Sequence, residues 1–129
     1  MRKTGLVITI LISVIMLTGC DNNIEVIPEV INVIYENPRY VDDSFFIDTY
    51  ITNGFEEDMY IGMIDFSIYP ESNETEIVAA GFYIEETIKA GGYVSIELEF
   101  TGSYVFVTED ELTILGFGVD DLILFFTVE

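Results

Sequence analysis

Tyr93-Val94-Ser95-Ile96-Glu97-Leu98-Glu99-Phe100 decides the fold class. Val94, Ile96, Leu98 and Phe100 recur at every second position, and Tyr93, Ser95, Glu97 and Glu99 fill the alternate ones. That period belongs to a strand with one buried and one solvated face. Upstream, Phe45, Ile47, Thr49 and Ile51 alternate with Phe46, Asp48, Tyr50 and Thr52. This run ends at Asn53-Gly54, a dipeptide favoured where a turn requires positive φ. Between the two runs, Tyr60, Gly62, Ile64, Phe66 and Ile68 alternate with Met59, Ile61, Met63, Asp65 and Ser67, up to Pro70. Both of its faces are largely apolar, which predicts a central strand. Further strands are expected at 34–40, 76–83, 104–108, 112–116 and 122–128, although 82–89 can instead hold a helical turn. Turn-forming residues at 70–73, 90–92, 101–103 and 109–111 separate them. The pattern predicts an all-β antiparallel sandwich of about seven or eight short strands, with a small barrel as the competing closure.

The N-terminal end follows another logic. Met1-Arg2-Lys3 is basic, the residues from Gly5 to Met16 are mostly apolar, and Leu17-Thr18-Gly19-Cys20 follows. This is the layout of a secretory signal. A membrane span needs about 20 apolar residues, more than this run offers before Cys20-Asp21-Asn22-Asn23. Leu17-Thr18-Gly19-Cys20 resembles the lipobox of bacterial lipoproteins. The resemblance implies cleavage after Gly19 and a diacylglycerol on Cys20, hence attachment to the outer face of the cytoplasmic membrane; two acyl chains anchor a protein stably where one does not. The expected organisation is a signal peptide at 1–19, a lipidated Cys20 with a tether to 33, and one β domain at 34–129. Cys20 is the sole cysteine, so the exported domain has no disulfide.

Charge and composition remove many activities. The chain has 24 acidic and 4 basic residues; loss of Arg2 and Lys3 takes the formal charge from −20 to −22 and leaves Arg39 and Lys89. Nucleic acid is excluded as a partner, because binding a phosphate backbone requires clustered Lys and Arg. There is no histidine. The commonest general base, the Ser–His and Cys–His nucleophile systems and the usual zinc ligands are therefore absent. No phosphate-binding glycine loop occurs, and no cofactor is expected.

The runs at 43–54, Ile68-Tyr69, 77–80 and 88–92, followed by Val94–Phe100, resemble small immunoglobulin-like domains of Gram-positive lipoproteins, of the FxLYD type and of the SLAP type linked to cell-surface layers. The resemblance implies an immunoglobulin-like sandwich and carries no catalytic residue set.

Three site hypotheses follow. Phe46 and Tyr50 share the outward face of one strand, and Tyr93, Glu97 and Glu99 that of another, an aromatic and acidic surface suited to a protein partner in the cell envelope. Asp42, Asp43, Asp120 and Asp121 fall where loops are expected and are candidate calcium ligands, without EF-hand spacing. Cell-wall carbohydrate is the other small ligand considered. Glu97 and Glu99 could in principle serve carboxylate-only hydrolysis, but their spacing is what a solvated strand face requires. The expected function is a non-catalytic binding or accessory module.

Overall fold

The strand read at 93–100 is β5 (Tyr93–Phe100), with Leu98 and Phe100 buried and Glu97 and Glu99 exposed. It belongs to a computed structural model that describes residues 24–129; the segment expected as a signal peptide and Cys20 lie outside the described residues. Five further strands are β1 (Ile31–Val41), β2 (Ser44–Asn53), β3 (Met59–Pro70), β4 (Val78–Ile88) and β6 (Leu122–Val128). They form two antiparallel three-stranded sheets, ordered β1-β2-β5 and β4-β3-β6.

The parity read from the sequence is what joins the sheets. Phe45, Ile47, Ile51, Leu98 and Phe100 face inward from one sheet, and Ile64, Phe66, Ile68, Leu122 and Leu124 from the other; all are buried. Phe82 of β4 meets Phe100 of β5 edge to face at 5.2 Å and Phe66 at 5.9 Å, linking the two layers. Such aromatic pairs add to the burial energy of each ring. β3 is central in its sheet, as its two apolar faces require. Thr49 is a polar member of the buried row on β2, and its hydroxyl donates to Ile96 O at 2.7 Å.

Four expectations are corrected. Six strands, not seven or eight, lie among the described residues. The stretch 112–116 is not a strand but part of helix α1 (Glu109–Leu115). Thr108 caps that helix by accepting from Glu111 N at 3.2 Å, Glu111 returns the bond to Thr108 N at 2.9 Å, and Gly116 ends it in the left-handed region. A capping box and three acids in the first turn outweigh the brief alternation of Leu112 and Ile114. At 104–108 a 3₁₀ turn (Gly102–Tyr104) and a single bridge from Val105 to Val78 replace the expected strand. The stretch 82–89 holds no helical turn; β4 runs through it to Ile88 with a bulge, where Glu85 adopts φ 53°.

Asn53-Gly54 also acts differently from a tight hairpin. Asn53 is fully buried, donates to Glu57 O at 2.9 Å and Ile88 O at 2.8 Å, and accepts from Phe55 N at 2.9 Å. It thereby turns the chain from one sheet to the other. Gly54 is needed for close approach: its N–H donates to Val30 O at 2.9 Å, its carbonyl accepts from Glu29 N at 2.7 Å, and an added β-carbon would meet Ile27 O at 1.7 Å. Of the stretch expected as tether to 33, Ile27 to Val30 are thus strapped to the end of β2, and β1 begins at Ile31.

Candidate functional site

The outward face of β1-β2-β5 gathers every residue expected for a binding surface. Register sets the neighbours: Phe46 pairs with Glu99, Asp48 with Glu97, Tyr50 with Ser95 and Thr52 with Tyr93. On the other side Glu36 pairs with Asp48 and Arg39 with Phe46. The rings of Tyr50 and Tyr93 meet edge to face at 5.9 Å. Tyr93 is 45% exposed, so its outer side is open.

Across the middle of the face Glu36, Asp48 and Glu97 stand in one row. Like charges directly opposite each other destabilise a sheet. Arg39 offsets this: Nη1 donates to Asp48 Oδ1 at 3.3 Å and to Asn37 O at 2.7 Å, and Nη2 donates to Glu97 Oε2. Its guanidinium carbon lies 5.4 Å from the centroid of the Phe46 ring, within cation–π range. Tyr50 donates its hydroxyl proton to Glu36 Oε2 at 3.0 Å. Burial, then that hydrogen bond and the charges of Glu36 and Asp48, push the Tyr50 hydroxyl up to about 12. Glu99 makes no ion pair among the described residues.

Arg39 was not singled out in the sequence, because its side of the sheet depends on a bulge. From Glu36 to Arg39 β1 advances three residues while β2 advances two, from Asp48 to Phe46. Without the extra residue Arg39 would share the inward parity of Val33 and Tyr35. Asn37-Pro38 is the signal for it: Asn37 takes φ 58°, which asparagine tolerates well. The same shift turns Tyr40 inward, where it meets Phe45 edge to face at 5.0 Å and donates to Val107 O at 2.8 Å. Burial, aided by Glu109 and Glu111, pushes the Tyr40 hydroxyl up to about 12.

The candidate calcium ligands are not brought together. Asp42 and Asp43 make the β1–β2 turn, with Asp42 at φ 55°. Asp120 and Asp121 form a 3₁₀ turn before β6, where Asp121 Oδ2 accepts from Gly118 N at 2.8 Å. No group of three or more carboxylates among the described residues is arranged to hold a metal ion. Loop acids serve as backbone acceptors instead: Asp58 Oδ1 accepts from Ala90 N at 3.0 Å, and Glu111 closes the helix cap.

A second surface escaped the sequence reading. On the outward face of β4-β3-β6, Tyr69 meets Phe125 edge to face at 5.5 Å. With Ser67, Asn73, Glu74 and Ile123 these rings wall an open trough of about 850 Å³. Below it, the Glu129 carboxyl shares a hydrogen bond with Asp65, which raises its pKa above the usual carboxylate range.

Two facing antiparallel sheets define an all-β, sandwich-like fold. The chain matches no protein-family model, no curated protein sequence and no solved structure. Among the described residues no helix is long and apolar enough to cross a membrane.

Proposed function

We propose that the chain is a lipid-anchored binding module of the cell envelope, without catalytic activity, held through Cys20 and presenting the outward face of β1-β2-β5 to a basic segment of another envelope protein. One observation carries this reading. Phe46, Tyr50 and Tyr93 share a face with Glu36, Asp48, Glu97 and Glu99, and Arg39 is its one cation among the described residues. Rings beside surplus carboxylates suit Lys and Arg side chains, which gain cation–π and charge-assisted contacts together. The carboxylates in the middle of the face are engaged with Arg39 and Tyr50, which supports recognition over proton transfer.

The immunoglobulin-type reading of the fold belongs to the same proposal. β1, β2 and β5 take the places of strands A, B and E of that sandwich, and β3 and β6 those of C and F, with β4 beside C as strand C′ lies in variable-type domains.

A photoreactive amino acid at Ser95, which pairs with Tyr50 on the face, should cross-link the chain to a protein partner in intact cells. The same group at Thr87, on β4 of the opposite sheet, should not. Equal cross-linking from both positions would remove the face from the proposal. Mass spectrometry of the native chain tests the anchor separately: a terminus at Cys20 carrying diacylglycerol is expected, and an unmodified thiol rejects it.

A further inference from the structure

Strands at the rim of a sheet pair with other strands unless something prevents it. Among the described residues the two sheets end on β1, β5, β4 and β6. Three of these rims are blunted. β1 has its bulge at Asn37-Pro38, β4 has one at Glu85, and β5 carries Glu97 and Glu99. Bulges and charges are the usual protections of an edge. β6 has neither. Its seven residues, Leu122–Val128, contain no charge, proline or glycine and keep unbroken register against β3.

Hydrogen bonding shows which groups point away. Glu71 N donates to Asp121 O at 2.6 Å and Glu129 N donates to Met63 O at 2.9 Å, so Asp121 and Glu129 bond toward β3. Antiparallel alternation then directs the backbone groups of Ile123, Phe125 and Thr127 to β3 and those of Leu122, Leu124, Phe126 and Val128 outward. In agreement, Leu122 O accepts from Tyr35 Oη, of the other sheet, at 3.4 Å. No strand lies beyond Leu124, Phe126 and Val128 among the described residues.

Charge selects the occupant. Two β6 strands paired antiparallel about Phe125 would set Asp121 of each copy opposite Glu129 of the other. Such pairs repel, in chains whose formal charge is already −20. Basic residues at those two positions convert the repulsion into attraction. We infer that β6 is a docking edge for an extended apolar segment of a partner protein bracketed by Lys or Arg, which adds as an antiparallel strand. Its alternate side chains fall beside Ile123 and Phe125, which wall the trough. In the seven-strand immunoglobulin sandwich, strand F carries a further strand on this side. The inference uses no residue of the β1-β2-β5 face and stands or falls apart from it.

The test uses the full chain in detergent micelles and a synthetic peptide of alternating valine and threonine with Lys-Arg at each end. Binding should slow amide hydrogen exchange at Leu124, Phe126 and Val128. N-methylation of the peptide amides that face β6 should abolish binding, whereas N-methylation of the opposite edge should spare it. Replacing the Lys-Arg ends by Glu-Asp should weaken binding about tenfold, the effect of reversing the end pairs. Unchanged exchange at the three amides overturns the inference. So does their protection in a peptide-free dimer, which would make the occupant a second copy.

Discussion

Replacing Arg39 by Met should destabilise the domain chiefly through the carboxylates left behind. The two ion pairs join partly exposed side chains, 29% for Arg39, 32% for Asp48 and 55% for Glu97, so each contributes about 0.2–1 kcal/mol. The cation–π contact on Phe46 adds about 0.5–1 kcal/mol. Once the guanidinium is gone, Glu36, Asp48 and Glu97 face each other uncompensated, at a cost of similar size to one pair. The total is about 1–4 kcal/mol. A domain of this size loses roughly 4–8 °C in Tm per kcal/mol. Thermal melts of residues 21–129 should therefore show a drop of about 4–30 °C for Arg39→Met, and urea melts a matching loss of free energy. A double-mutant cycle isolates the cause. Glu97→Gln should destabilise when Arg39 is present and stabilise when Met replaces it, because the same carboxylate changes from partner to repelling neighbour. Were Glu97→Gln to have the same sign in both backgrounds, the account of the row would be refuted.

Asn53→Ala should cost about 2–4 kcal/mol in urea melts, because Phe55 N and Ile88 O lose their partner in a fully buried site; a loss below 1 kcal/mol would show that water replaces the amide. Thr108→Ala removes the cap of α1 and should cost about 1 kcal/mol, with Thr108→Ser close to neutral. Stability should fall as pH rises from about 10 to about 12. Tyr40 and Tyr50 keep their protons to about 12 when folded but release them near 10.0 when unfolded, so the unfolded chain binds fewer protons across that window. Tyr40→Phe with Tyr50→Phe should flatten the fall in urea midpoints measured between pH 9 and 12.

Period-two strands were legible wherever one face is buried, because slipping β2 or β5 by one residue would expose Phe45, Ile47, Leu98 and Phe100 together. The same parity made the outward aromatic and acidic face legible. What it could not deliver were positions set by a bulge. Arg39 reaches its carboxylates through one extra residue, and Ile61 and Ile64 are both buried although their spacing breaks the alternation. Helix α1 was missed for a different reason: its seven residues are too few for a clear helical period, while Leu112 and Ile114 mimic a strand. Thr108-Glu109-Asp110-Glu111 with Gly116 was the readable signal there. Loop position alone did not reveal that Asp58, Glu111 and Asp121 accept from neighbouring N–H groups.

The strap at Gly54 sets the pole of the sandwich from which the N-terminal residues leave it. Ile27 to Val30 are held against the end of β2, so with Cys20 acylated only the seven residue steps from Cys20 to Ile27 remain as leash, about 25 Å at full stretch. On the proposal that Cys20 is acylated, that pole, with Asn53, Gly54 and the Gly91-Gly92 turn, would be the one nearer the bilayer. The Asp42-Asp43 turn sits at the far pole, about 30 Å away along the ten residues of β2. The strands would then stand upright on the membrane, and a partner would reach β6 and the aromatic face from the side.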